Sequence, residues 1–353
     1  MIQIYSIIII LLVIGTLFFD KKSAKGRVFF CFVVAFIGII TGLRSENVGH
    51  DTANYLNIYD TVSSIPFMQI FTTPPYNVLE PGFLILCWFC GYLGLESYMF
   101  VLLISLFCFT CIGFWIWQNS DSPMFSLLIF FCMFYTFFLT GIRQCIALSI
   151  VLLSYRAISE SKWKCFLFYV FLGFLFHRTA LIFILMYFIS KIKNTNKALL
   201  FALLLFPIVY YLRSGIFPLL TLVSDRFGHY EILNHGDATN YTILLALVCV
   251  AAYFCSKSTS TISDDYRRNH VCLMLSFLIM PFVGLNGSIM RVAMYFTMAI
   301  CFLIPQAIKI FPDKAISMVA KIVTICVLLL LVSTTLLSSE TYRYELTPYI
   351  KFN

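Results

Sequence analysis

Apolar runs close to membrane-spanning length recur from one end of this chain to the other, and the polar stretches between them are short. A helix needs about 20 apolar residues to cross the hydrocarbon of a bilayer, and a chain made of such runs has little surface left to face water. With 61% hydrophobic and 11% charged residues among 353, the fold class is an all-α polytopic integral membrane protein. The runs predict a bundle of about 11–13 transmembrane or re-entrant helices with one short amphipathic helix in an external loop. Residues 1–353 are expected to form a single transmembrane domain with no separate soluble domain. The Met1–Phe19 segment has neither a basic leader nor a small-residue cleavage site, so it reads as a retained first span. In a soluble protein a net charge of +8 would suit nucleic acid. Here the placement of the charge matters more, and no nucleic-acid partner is expected.

Lysine clusters set the topology. Lys21, Lys22 and Lys25 make the first basic loop, which the positive-inside rule assigns to the cytoplasm, leaving the N-terminus outside. Val28–Leu43 then returns to the outer face and delivers Arg44 to Tyr55. From Asp51 onward Tyr55, Ile58, Tyr59 and Val62 recur on one side of a helix, with Asp51 at the N-cap, which describes an amphipathic helix lying on the outer surface. If Pro81–Leu95, Tyr98–Trp117, Pro123–Leu139 and Arg143–Ile158 all crossed, the basic Arg156–Lys164 loop would lie outside. Pro81–Leu95 is short and holds three glycines, so it is read as a segment that does not cross. Beyond Lys197, Ala198–Leu212 crosses outward to a long outer loop, Arg213–Asn240. Tyr241–Ser256 returns to a basic loop, Lys257–Arg268, His270–Leu285 leads out to an Asn286-Gly287-Ser288 turn, and Ile322–Leu337 ends in an external tail.

The second basic loop, Lys191–Lys197, follows the Arg156–Lys164 loop after only about 28 residues, too few for two full spans of about 20. The run between them is therefore expected to go in and come back as two half-length helices, with His177 and Arg178 at the turn. Arg143, one crossing back from Arg156, then shares the outer face with that turn.

On this topology the cytoplasmic side holds twelve Lys and four Arg, and the outer side seven Arg and one Lys. Topology needs only positive charge, and lysine supplies it. Arginine on the disfavoured side suggests another purpose, and its planar fork binds phosphate bidentately. Arg143 and Arg291 each open an apolar run, where an ionisable group is costly and functional by default, snorkelling to lipid phosphate being the alternative. For Arg44 the alternative is a headgroup contact, for Asp51 a simple helix cap, and for His177 a ring satisfied by a neighbouring carbonyl. The thirteen cysteines lie in apolar runs without acidic or histidine partners, so Cys87/Cys90 and Cys108/Cys111 read as small apolar residues. No acidic cluster or paired carboxylate marks a metal site on the outer side, and no metal or cofactor is expected.

The series Arg44-x-x-x-Val48-Gly49-x-Asp51-Thr52-x-x-Tyr55, Ile142-Arg143-Gln144-x-x-Ala147, Phe176-His177-x-Thr179-Ala180-Leu181 and Arg291 resembles, in order and over nearly the whole chain, the EpsG branch of the Wzy-type oligosaccharide repeat unit polymerases. The resemblance implies a membrane glycosyltransferase of the bacterial cytoplasmic (inner) membrane. Such an enzyme joins polyprenyl-pyrophosphate-linked repeat units into O-antigen, capsule or exopolysaccharide on the outer face. Its expected partners are the lipid-linked oligosaccharide donor and acceptor, membrane lipids, and flippase and chain-length regulator proteins. In that chemistry Arg143, Arg291, Arg44 and Arg178 would stabilise the pyrophosphate leaving group, and His177 or Asp51 would take the acceptor's proton. A lipid-linked oligosaccharide flippase is the alternative, but should carry charges deep within several spans and show related halves. A membrane-bound O-acyltransferase would also use a histidine, but from the cytoplasmic side, which His177 does not face on this topology.

Overall fold

A computed structural model describes residues 2–221, 238–259, 262–338 and 340–347. All the regular elements among them are helical. Among the described residues six helices are long and apolar enough to cross a membrane, and a pair bent by 45°, Gly287–Thr297 and Ile300–Lys309, meets that length and hydropathy only when its halves are taken together. Five shorter apolar helices, Pro81–Tyr92 and Trp163–Phe174 among them, complete the apolar set. Lipid offers a backbone no hydrogen bonds, so each crossing must satisfy its own amides, and helices do this. Buried threonines add to it by donating back one turn, Thr16 to Leu12 and Thr41 to Ile37, both at 2.7 Å.

Contacts divide the chain into two units, residues 1–181 with 322–353, and residues 182–321. The first contains α1 (Ile2–Phe18), α2 (Ala24–Gly42), α3 (Thr52–Ser64), α4 (Pro81–Tyr92), α5 (Ser97–Asn119), α6 (Pro123–Phe138), α7 (Ile142–Leu153), α8 (Tyr155–Ser159) and α9 (Trp163–Phe174). Its core is aromatic: Trp115, Tyr59, Tyr135, Tyr155, Phe109 and Phe130 are all essentially inaccessible.

The loops of this unit gather at two ends, as the charge pattern requires. At the lysine end, Lys22 donates to the Gln118 carbonyl at 3.5 Å, Asp20 accepts from the Phe125 amide at 3.0 Å, and Trp115 meets Tyr155 edge-on at 5.9 Å. At the arginine end, the chain's C-terminal strap crosses the loop that follows α2. Ser45 N–H donates to the Glu345 carbonyl, Thr347 N–H to Leu43 and Gly49 N–H to Thr341, at 2.7–2.9 Å. The Tyr344 hydroxyl donates to Ile40 and the Tyr5 hydroxyl of α1 to Tyr342, both at 2.9 Å. Burial pushes the Tyr344 phenol up, so it stays a neutral donor.

The amphipathic helix forms where the periodicity put it, with Tyr55, Ile58, Tyr59 and Val62 buried. Asp51 stands at its N-cap position but makes no capping hydrogen bond with its side chain. Helix α4 lies along α3: Tyr55 meets Phe83 at 5.8 Å near one end, and Tyr59 donates to the Leu95 carbonyl at 2.5 Å beyond the other. Both ends of α4 thus rest on one 13-residue helix. Only α5, of 23 residues, carries the chain from there to the lysine end. At 12 residues α4 is too short for a span, which needs about 20.

The second unit contains α10 (Leu185–Ile189), α11 (Thr195–Thr221), α12 (Thr239–Lys257), α13 (Asp264–Val283), α14 (Met290–Thr297) and α15 (Ile300–Lys309), while α16 (Lys314–Ser338) continues into the first. Two expectations are corrected here. The chain does not leave the helix at Arg213, since α11 continues through Pro207 and Pro218 to Thr221. Nor do Arg267 and Arg268 sit in a loop: α13 starts at Asp264, capped by the Ser263 hydroxyl at 3.1 Å, and pairs them with Asp264 and Asp265 three residues earlier. Arg226, His229, His235 and Lys351 lie outside the described residues.

Single cysteines in a background without the native thiols test the topology. Replacements at the exposed Glu46, Glu96 and Arg178 should react with an impermeant maleimide from outside, and those at Lys22, Lys162 and Lys193 only after permeabilisation. Labelling of position 96 only from inside would mean that α4 crosses.

Candidate functional site

The site grows from a break. Helix α9 ends at Phe174, and the chain resumes as a 3-10 helix at Arg178, with His177 in the gap. A broken helix at membrane depth leaves orphan backbone groups that must find partners inside the protein. Phe176 and His177 N–H both turn back to the Gly173 carbonyl at 3.0 Å. The remaining groups are met by the start of α4: Gly82 N–H donates to the Leu175 carbonyl at 2.8 Å, and the Glu80 carboxylate accepts from the Arg178 N–H at 3.5 Å. A Cβ on Gly82 would lie 2.7 Å from the Leu175 oxygen, so only glycine allows this approach.

Glu80 precedes proline, which holds its backbone extended (φ −68°, ψ 136°), and its carboxylate is not turned onto its own helix. Its second oxygen pairs with Nη1 of Arg143. The carboxylate is 3% exposed and the arginine side chain 15%. Arg143 stands in the first turn of α7, with its guanidinium 5.9 Å over the Tyr55 ring. Its Nε is buried without a hydrogen-bond partner. One nitrogen is therefore neutralised by Glu80 while a donor on the other edge of the fork is left unmatched, the kind of orphan that calls for an acceptor.

Beside them, His177 Nδ1 lies 2.7 Å from the Thr179 hydroxyl and 3.3 Å from its amide nitrogen. An Nδ1 that accepts from the Thr179 amide holds the ring's lone pair, so the neutral ring keeps its proton on Nε2. The Arg178 side chain is exposed.

Arg44 and Asp51 belong to the loop held by the C-terminal strap. Arg44 is 4% exposed, and its guanidinium donates to the Thr41 carbonyl at 2.6 Å and to the Ser105 and Thr52 hydroxyls at 3.4 Å. A cavity of about 10 Å³, room for one water, adjoins it between Ser105, Cys108 and Cys145. Thr52 in turn donates to Val48 at 2.6 Å, and its hydroxyl lies 3.2 Å from the Leu139 carbonyl just before Arg143. Gly49, at φ +91°, approaches the same carbonyl so closely that a Cβ would stand 2.0 Å from its oxygen. These contacts tie the Arg44–Tyr55 segment to the residues that lead into α7.

Arg291 lies in the second unit, exposed in the first turn of α14. It follows a 3-10 turn, Gly287–Ile289, that the Asn286 side chain closes by accepting from the Ser288 amide at 2.9 Å. Among the described residues no three His, Cys, Asp or Glu side chains gather as a metal site would require. The ten buried cysteines are unbridged, Cys87, Cys90, Cys108 and Cys111 among them.

A family model describing the EpsG family matches residues 27–350. The chain belongs to the EpsG family. Both the helix break and Arg143 fall within the matched region, as do Arg44, Asp51 and Arg291. At the level of the family, EpsG membership suggests a Wzy-like polysaccharide polymerase of glycosyltransferase type, working on lipid-linked oligosaccharides in a multi-pass membrane protein. No curated protein and no solved structure matches the chain.

Glu80 was not singled out from sequence. The available signal was a lone acidic residue directly before Pro81-Gly82 and an apolar run, the same hydrocarbon-edge position that drew attention to Arg143. Tyr55 stood in the motif, but as a helix-face residue.

The pair makes a stability prediction. Arg143→Ala leaves the Glu80 carboxylate buried without its cation, which should cost about 3–5 kcal/mol. Removing both charges as Glu80→Ala/Arg143→Ala should recover most of that loss, as read by thermal melting of the detergent-solubilised protein.

Proposed function

We propose that this EpsG-family protein polymerises polyprenyl-pyrophosphate-linked oligosaccharide repeat units on the outer face of the bacterial cytoplasmic membrane. The growing glycan on one lipid is the donor and a hydroxyl of the next lipid-linked unit is the acceptor. That hydroxyl oxygen attacks the anomeric carbon as the anomeric C–O bond to pyrophosphate breaks. The bonding pair leaves with the lipid pyrophosphate, and the hydroxyl proton passes to a base. A single displacement with inversion is the simplest course. The products are a polymer longer by one unit and a free lipid pyrophosphate.

The observation that carries this reading is the unmatched Nε of Arg143 at a break in the membrane helices that also holds His177. Negative charge develops on the leaving pyrophosphate, and a preorganised guanidinium in a site shielded from water stabilises it without a metal. Arg143 and Arg291 are assigned to the pyrophosphate, with the exposed Arg178 beside the break. Arg44 serves from inside the protein: its hydrogen bonds hold the loop against the turn that leads into α7. His177 is assigned as the base, with Asp51 next in line.

Two experiments decide it. Lysine keeps charge but not the fork, so Arg143→Lys and Arg291→Lys strains should lose nearly all long polymer, as alanine variants do. Wild-type ladders from both would remove the clamp. His177→Gln should remain inserted at wild-type level yet accumulate lipid-linked single repeat units on the outer side. Normal polymer from that variant would make the histidine structural, and single units trapped inside a deletion strain would indicate a flippase instead.

A further inference from the structure

A carboxylate buried beside a proposed anion site is unexpected, because it repels the phosphate the site is meant to hold. Glu80 nevertheless sits there, 3% exposed, in a cleft between elements far apart in sequence. It stands at the N-cap position of α4, where an acidic side chain ordinarily turns onto its own helix, yet it makes no capping hydrogen bond. One oxygen instead meets the Arg178 amide, 98 residues on, and the other the Arg143 guanidinium, 63 residues on. The neighbouring Gly82–Leu175 hydrogen bond, 2.8 Å long, fixes the backbone from which the carboxylate reaches out. The carboxylate therefore meets Arg143 from a fixed direction, at Nη1, while Nε on the opposite edge of the fork stays without a partner.

We propose that Glu80 is a positioning residue for Arg143: by holding Nη1 and the helix break together, it leaves Nε of the guanidinium to donate to a pyrophosphate oxygen. The inference rests on the assignment of Arg143 to the pyrophosphate. Donation from Nε needs the guanidinium plane fixed, and a single long arginine side chain loses rotamer freedom only when something holds it. Neutralising one end of the cation also lowers the cost of keeping it buried before substrate arrives.

The sign of one measurement separates positioning from masking. The full chain in lipid nanodiscs is titrated with farnesyl pyrophosphate and with farnesyl monophosphate as probes. Wild type should prefer the pyrophosphate, and Arg143→Gln should lose that preference. If Glu80 positions the fork, Glu80→Gln and Glu80→Asp should each weaken pyrophosphate binding about tenfold while melting remains cooperative. If Glu80 merely masks Arg143, the Gln variant binds more tightly, and the proposal fails. Should Glu80→Gln not fold, Glu80→Asp decides alone: it keeps the charge but withdraws the carboxylate by one methylene, so wild-type binding by a folded Asp variant also overturns the proposal. Absence of any pyrophosphate preference in both wild type and Arg143→Gln would instead remove the assignment of Arg143, a result distinct from either Glu80 outcome.

Discussion

A carboxylate taken out of water must be paired, and in the first unit of this protein one such carboxylate organises the arginine end. Glu80 draws on the helix that starts at Arg143, the break before Arg178 and the short helix it precedes. An isolated ion of this kind would be prohibitively costly in the interior, so the three elements are obliged to stay together. The break itself is tolerable for the same reason. Its Leu175 carbonyl and Arg178 amide, which lipid could not satisfy, are met by residues 80–82. Glycine at position 82 lets the two backbones come within hydrogen-bonding distance.

Around this centre the motif residues of the Arg44–Tyr55 segment acquire separate physical tasks. Arg44 is an internal strut rather than a surface cation, donating to a carbonyl and two hydroxyls. Gly49 and Thr52 bring the loop onto the Leu139 carbonyl, and Tyr55 turns its ring toward the Arg143 guanidinium and Phe83. The C-terminal strap closes the loop from the other side through Thr341, Glu345 and Thr347. A buried guanidinium whose hydrogen-bond partners are all neutral is costly, and it persists because the surrounding structure over-determines its position.

A Wzy-like polymerase has to bring two lipid-linked substrates to one place at the membrane surface. In the first unit the backbone groups of the broken helix are met by residues 80–82, so the break needs nothing from lipid. Helix α4 lies along α3 and carries Glu80 at its start. In the proposed mechanism the arginines act on the leaving pyrophosphate and the histidine on the incoming hydroxyl.

Local regularities carried much of this in the sequence. Hydropathy dictates the all-helical membrane class, because a run of that length has no other way to satisfy its backbone in lipid. Two basic loops too close for a pair of spans dictate a break near His177, and a four-residue apolar rhythm dictates the face that α3 buries. Lysine placement assigned the loops to ends, and the contacts at each end agree. What the tertiary structure alone decided is which groups meet. The partner of Arg143 lies 63 residues upstream, Arg44 turns inward rather than toward headgroups, and α11 continues past Arg213 with Pro218 inside it. Charge and periodicity act over a few residues, whereas the pairing of a buried carboxylate depends on which helices pack together. No pattern within a single run records that packing.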